Sequence, residues 1–111
     1  MTVTAKQLIA PQQITNAAVT YYTATRVTGR CDCMTATNTD TAAHTLTVHI
    51  VPSGGSASAG NRIISAKSIM PGETYSCFEM IGQVIPNGSF IQALADANTV
   101  ITLSASGIEI S

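Results

Sequence analysis

The chain has 111 residues, a formal net charge of −1 and a charged fraction of 10%, well under the roughly 25% of ordinary soluble domains. That length holds one domain with one hydrophobic core and excludes a second. Five Lys and Arg residues, Lys6, Arg26, Arg30, Arg62 and Lys67, are scattered along it and give no electrostatic footprint for nucleic acid, while no apolar run approaches the roughly 20 residues of a membrane-spanning helix.

Taken in chain order, the elements follow a period of two, the mark of half-buried strands. The N-terminal segment lacks the basic start and apolar stretch of a secretory signal, which predicts a protein made in the cytoplasm. Within residues 1–15, Leu8, Ile9 and Ile14 stand beside the polar pair Gln12 and Gln13. The segment reads equally as an N-terminal arm that reaches a neighbour and as an edge strand over Lys6–Ala10. A second strand is expected over Ala18–Thr23, where alternation must send either Tyr21 or Tyr22 outward.

In Arg26–Cys33 the alternation places Val27, Cys31 and Cys33 on the core face and Arg26, Thr28, Arg30 and Asp32 on the wet face. His44–Val51 carries the strongest strand signal. Leu46, Val48 and Ile50 share one face and Thr45, Thr47 and His49 the other, with the β-branched content that strands favour. Pro52–Asn61 is an uncharged Gly/Ser/Ala stretch, long for a connection in a compact domain and expected to be flexible.

Strands are then expected over Arg62–Met70 and Glu73–Phe78, joined at Pro71-Gly72, and over Ser89–Ala95 after Pro86-Asn87-Gly88. Both are tight-turn signals, because Pro presets φ and Gly or Asn accepts positive φ. Residues 90–97 also have some helical propensity through Ala and Leu, but eight residues between turn signals suit a strand better. In Val100–Ile110 the residues Ile101, Leu103 and Ala105 point inward. The phase then changes at Gly107 so that Ile108 and Ile110 take over, as a β-bulge would allow. About eight short strands between Gly/Pro turns predict a single all-β domain over residues 1–111, an antiparallel β-sandwich or jelly roll.

Reactive chemistry finds little footing in the residue pattern. The nucleophile elbow, the zinc-protease helix, the phosphate loop and the dinucleotide fingerprint are all missing. The six acids, Asp32, Asp40, Glu73, Glu79, Asp96 and Glu109, fall at expected turns or on wet strand faces. Cys31, Cys33 and Cys77 are odd in number and read as small buried hydrophobes, and with His44 and His49 they make no recognisable zinc spacing. A Cys77–His44 or Cys77–His49 pair is conceivable across the fold, but any chain with three Cys and two His offers such pairs. The expectation is therefore a protein without catalytic residues, cofactor or metal. Sixteen Thr, ten Ser and fifteen Ala predict a neutral, hydroxyl-rich surface that is covered at little desolvation cost.

Four stretches resemble small virion-associated proteins of tailed bacteriophages and prophages. They are Leu46-Thr-Val-His-Ile-Val-Pro-Ser-Gly-Gly-Ser56, Asn61-Arg62, Pro71-Gly-Glu-Thr-Tyr75 and Ile101-Thr-Leu-Ser-Ala-Ser-Gly-Ile-Glu-Ile110. The resemblance covers roughly residues 20–110. It implies a structural protein of the virion, first of all a capsid decoration or cement protein that docks on the major capsid protein and forms a homo-oligomer, with a trimer favoured. A tail, neck or fibre-base component is the alternative within that class. A host-surface or carbohydrate-binding module is the rival outside it. The contact elements this reading singles out are the 52–61 loop, the 1–15 segment and the outward Thr rows.

Overall fold

The computed structural model describes all 111 residues. Nine strands form in chain order: β1 (Val3–Gln13), β2 (Val19–Thr23), β3 (Thr28–Asn38), β4 (His44–Val51), β5 (Arg62–Ile69), β6 (Thr74–Ser76), β7 (Gln83–Ile85), β8 (Phe90–Ala95) and β9 (Ile101–Ile110). Two short 3-10 turns, Ala59–Asn61 and Phe78–Met80, complete the regular structure. The strands make two antiparallel sheets. The first has the order β1-β9-β3-β6, with β7 also on β3, and the second β2-β8-β4-β5. The two inner faces enclose one cluster that includes Ile9, Met34, Leu46, Val48, Ile91, Ile101 and Leu103. The expected all-β sandwich is the fold, and within residues 90–97 the segment Phe90–Ala95 is strand rather than helix, with Ile91, Ala93 and Ala95 buried.

The strand directions sort the connections into two poles. Residues 14–18, 39–43, 70–73 and 96–100 gather at one, and residues 24–27, 52–61 and 86–89 at the other. Both chain ends lie at this second pole, where Thr2 and Ser111 exchange backbone hydrogen bonds of 2.9 Å in each direction. The two turn signals close as expected. Glu73 N–H donates to Met70 O and Ser89 N–H to Pro86 O, with Gly72 and Gly88 at φ +75 and +87.

Segment 1–15 is the edge strand β1 and its continuation, and it is part of the core, with Leu8, Ile9 and Ile14 buried. Deleting residues 1–10 would take Leu8 and Ile9 out of that core.

Strict alternation misplaces two sets of side chains. Cys31 is buried but Cys33 is exposed, because Cys31 pairs with Gly107 and Cys33 with Ser106, which leaves Asp32 as the extra residue of a bulge in β3. In β9 the phase does not change. Gly29, Glu109 and Ile85 form one inward-facing cross-strand row, and Glu109 accepts a 2.6 Å hydrogen bond from Tyr22 of the opposite sheet. Ile108 and Ile110 stay on the outer face, half-buried. The extra residues sit in the neighbouring strands, Asp32 in β3 and one between Lys6 and Ile9 in β1. Gly107 is required between them, since a Cβ there would lie 1.9 Å from the Arg30 carbonyl oxygen.

Candidate interaction surface

The second sheet is covered on part of its outer side. His49 and Val51 face outward on β4, yet both are buried, because residues 52–61 fold back over them. His49 Nδ1–H donates to Asn61 Oδ1 (2.9 Å). The same oxygen accepts from Ser58 N–H (3.0 Å), and Asn61 Nδ2 donates to Ser56 O (2.9 Å). The Gly/Ser/Ala stretch expected to be flexible is thus tied down around one asparagine, a role that its composition conceals.

The outer face of the first sheet is bare. Cross-strand register places Val3, Ile110 and Thr28 in one row and Ala5, Ile108, Arg30 and Val84 in the next. Further along, Ser104, Thr35 and Ser76 form a row, and Gln13, Thr102, Thr37 and Thr74 another. Thr37 and Thr74 share a 2.9 Å hydroxyl–hydroxyl bond. One end of the face is apolar, therefore, and the other is a hydroxyl array. Arg30 and Asp32 neutralise each other at 2.7 Å. Beside them the bulge opens a depression of about 480 Å³ lined by Ala5, Lys6, Asp32, Ser106 and Ile108. Along the β6/β7 edge Phe78, Ile81 and Val84 are each more than half exposed, Val84 standing in the apolar row beside Arg30.

The strand edges are guarded. β1 carries Lys6, Pro11 and two register shifts. β2 has five residues and one shift, and β5 has Lys67, two shifts and Ala66 at φ +47. β6 and β7 have three residues each and are separated by the Phe78–Met80 turn. Short, bulged or charged edges resist strand addition, so contact with another protein is left to the faces.

The titratable clusters hold the fold together. His44 Nε2 and Nδ1 each lie 2.7 Å from a carboxylate oxygen, of Asp40 and Asp96 respectively. Tyr75 donates its hydroxyl proton to Glu79, and Lys67 Nζ sits 5.1 Å from the centre of the Tyr75 ring. Burial first, then the carboxylate partner, raises the Tyr22 and Tyr75 hydroxyls far above the ordinary tyrosine range.

Burial likewise pushes the Cys31 thiol up to about 11 and the Cys77 thiol to about 12, so neither is a thiolate at neutral pH. Cys77 faces the core of the first sheet, whereas His49 is committed to Asn61 and His44 to its two aspartates. The conceivable Cys–His pairs are not brought together. Of the adjacent tyrosines, Tyr22 is buried and Tyr21 half-buried against the core. Phe78 is the exposed aromatic instead, and alternation could not single it out because it lies in a 3-10 turn. Every buried side-chain nitrogen and oxygen has a hydrogen-bond partner.

Compared with known proteins, the chain matches no family model, no curated protein and no solved structure.

Proposed function

We propose that the chain is a structural protein of a tailed-phage virion, a capsid decoration protein that docks on the head and acts by binding rather than catalysis. The observation that supports this reading is the bare outer face of the first sheet. Three strands of ten or eleven residues, with the short β6 and β7 end to end beside β3 as a fourth row, at about 4.8 Å spacing give it roughly 500 Å² in projection. That is on the order of the ~800 Å² of accessible surface that each partner contributes to a standard interface.

Its ion pair, Arg30 with Asp32, is internally neutralised, so covering those two groups strands no net charge. Phe78, Ile81 and Val84 supply the exposed apolar anchor that such contacts are built around. The guarded edges suit the same role, because a protein present in many copies must meet its partner without adding strands to its own kind. A decoration protein stabilises a shell by bridging neighbouring subunits, and repeated copies multiply the effect.

The test is co-sedimentation of the purified protein with undecorated heads, alongside light scattering to give its oligomeric state. Wild type should pellet with the heads as a homo-oligomer, and Val84→Asp, which places a charge on the exposed anchor, should weaken binding at least tenfold while leaving thermal unfolding within about 0.5 kcal/mol. A wild-type protein that stays in the supernatant overturns the head assignment.

A further inference from the structure

We propose that Asp40, His44 and Asp96 form a protonation-dependent latch that holds the β3–β4 and β8–β9 connections together at one pole of the sandwich. His44 opens β4, Asp40 lies in the turn that precedes it, and Asp96 immediately follows β8. The imidazole spans the two, with a carboxylate oxygen 2.7 Å from each ring nitrogen and only 13% of the side chain exposed.

Geometry alone fixes the protonation state that this arrangement needs. A carboxylate accepts and cannot donate, so both contacts are hydrogen bonds only when both ring nitrogens carry a proton. Neutral imidazole has one N–H. Losing the proton leaves one nitrogen lone pair facing a carboxylate at 2.7 Å, which is repulsive, and one of the two connections must let go.

The surroundings leave His44 few other influences. Asp40 from the β3–β4 turn and Asp96 after β8 are the charged groups acting on it. β5 places the uncharged Ile69 opposite it, and Glu73, at the same pole, is occupied by the Met70 N–H at 2.8 Å. The hydrogen bond to Asp40, then that to Asp96, raises the His44 pKa above its ordinary 6.5, and the same contact holds Asp40 below its ordinary range.

The sign of the linkage follows. The His44 contribution is fully present below about pH 6.5 and is lost as the pH rises through the higher folded value. The Asp40 contribution is present above its ordinary value and is lost as the pH falls through the depressed one. The latch is closed between these limits and opens as the pH rises through the raised His44 value.

What the latch holds is visible in the backbone. Thr39 N–H donates to Val100 O, and Thr99 N–H to Ile14 O, so the connections it clamps also anchor the end of β1 and the start of β9. The experiment is an NMR titration of the full chain. The His44 ring resonances give its pKa, and amide hydrogen exchange of Thr39 and Thr99, corrected for intrinsic rates, gives the opening of the pole.

The expected result is a His44 midpoint above 6.5 and a loss of protection at both amides, roughly two- to tenfold, across the same interval. Asp96→Asn should lower the midpoint and shift the loss with it. A midpoint at or below 6.5, or protection that stays flat through the His44 titration, overturns the proposal. Both readings come from the wild-type protein and hold even if the variant fails to fold, and neither involves phage heads.

Discussion

Asn38 is fully buried at the end of β3, and its side chain makes three bonds at once. Nδ2 donates to Ala42 O (2.8 Å) and Ile69 O (2.9 Å), and Oδ1 accepts from Asp40 N–H (2.9 Å). It thereby ties the first sheet, the β3–β4 turn and the end of β5 in the second sheet. Asn38→Ala would leave two carbonyls and an amide without their partners, the Ile69 carbonyl in a fully buried bond, and should cost about 2–4 kcal/mol in chemical denaturation. A loss under 1 kcal/mol would mean that water replaces all three bonds. Nothing in the sequence marks the span of this residue, since Asn between Thr37 and Thr39 reads as turn chemistry, which its bond to the Asp40 N–H two residues on is, while its other partners are backbone carbonyls four and thirty-one residues away. The anchoring role of Asn61 is hidden in a similar way, because it depends on His49 twelve residues away. The core itself was legible: Leu46, Val48, Ile101, Leu103 and Ala105 are buried where alternation places them.

Among the elements, the central trio β1, β9 and β3 shows where a period of two stops being a guide. A bulge shifts every later side chain by one position, and here it sits not in the strand that carries the glycine but in both strands beside it. Reading β9 alone, Gly107 looks like the irregular residue. In the sheet it is the regular one, and its missing Cβ makes room for the Arg30 carbonyl that the bulge pushes inward. Gly107→Ala should therefore destabilise by roughly 2–3 kcal/mol, since the obstructing atom is backbone and cannot rotate away, and the amides of Cys31–Cys33 should lose exchange protection first. An unchanged melting temperature would show that β3 slides freely. The exposure of Cys33 and the depression beside Lys6 both follow from the same irregularity, whereas Glu109 faces inward because β9 keeps its alternation. For that reason the apolar end of the candidate surface could not be read from any one strand.

For the whole molecule, the low charge and hydroxyl-rich composition already pointed to a surface suited to being covered. The choice of face needed the assembled sheets, because residues 52–61 cover part of one and leave the other open. The order β1-β9-β3 carries a further consequence, in time rather than in space. β9 lies between β1 and β3 and is their main hydrogen-bonded neighbour, so during synthesis the first strand waits unpaired until residues 101–110 have left the ribosome. Contacts this distant in sequence close slowly, and refolding from denaturant should take milliseconds to seconds rather than microseconds. A chain halted after Val100 should remain susceptible to protease throughout, whereas the full chain becomes resistant once released. A resistant truncated chain would show that the second sheet folds without the first. If β1 does wait, its blunted edge serves the newborn chain as well as the finished one: Lys6 and Pro11 keep an unpaired strand from finding the wrong partner among its sister chains on the same message.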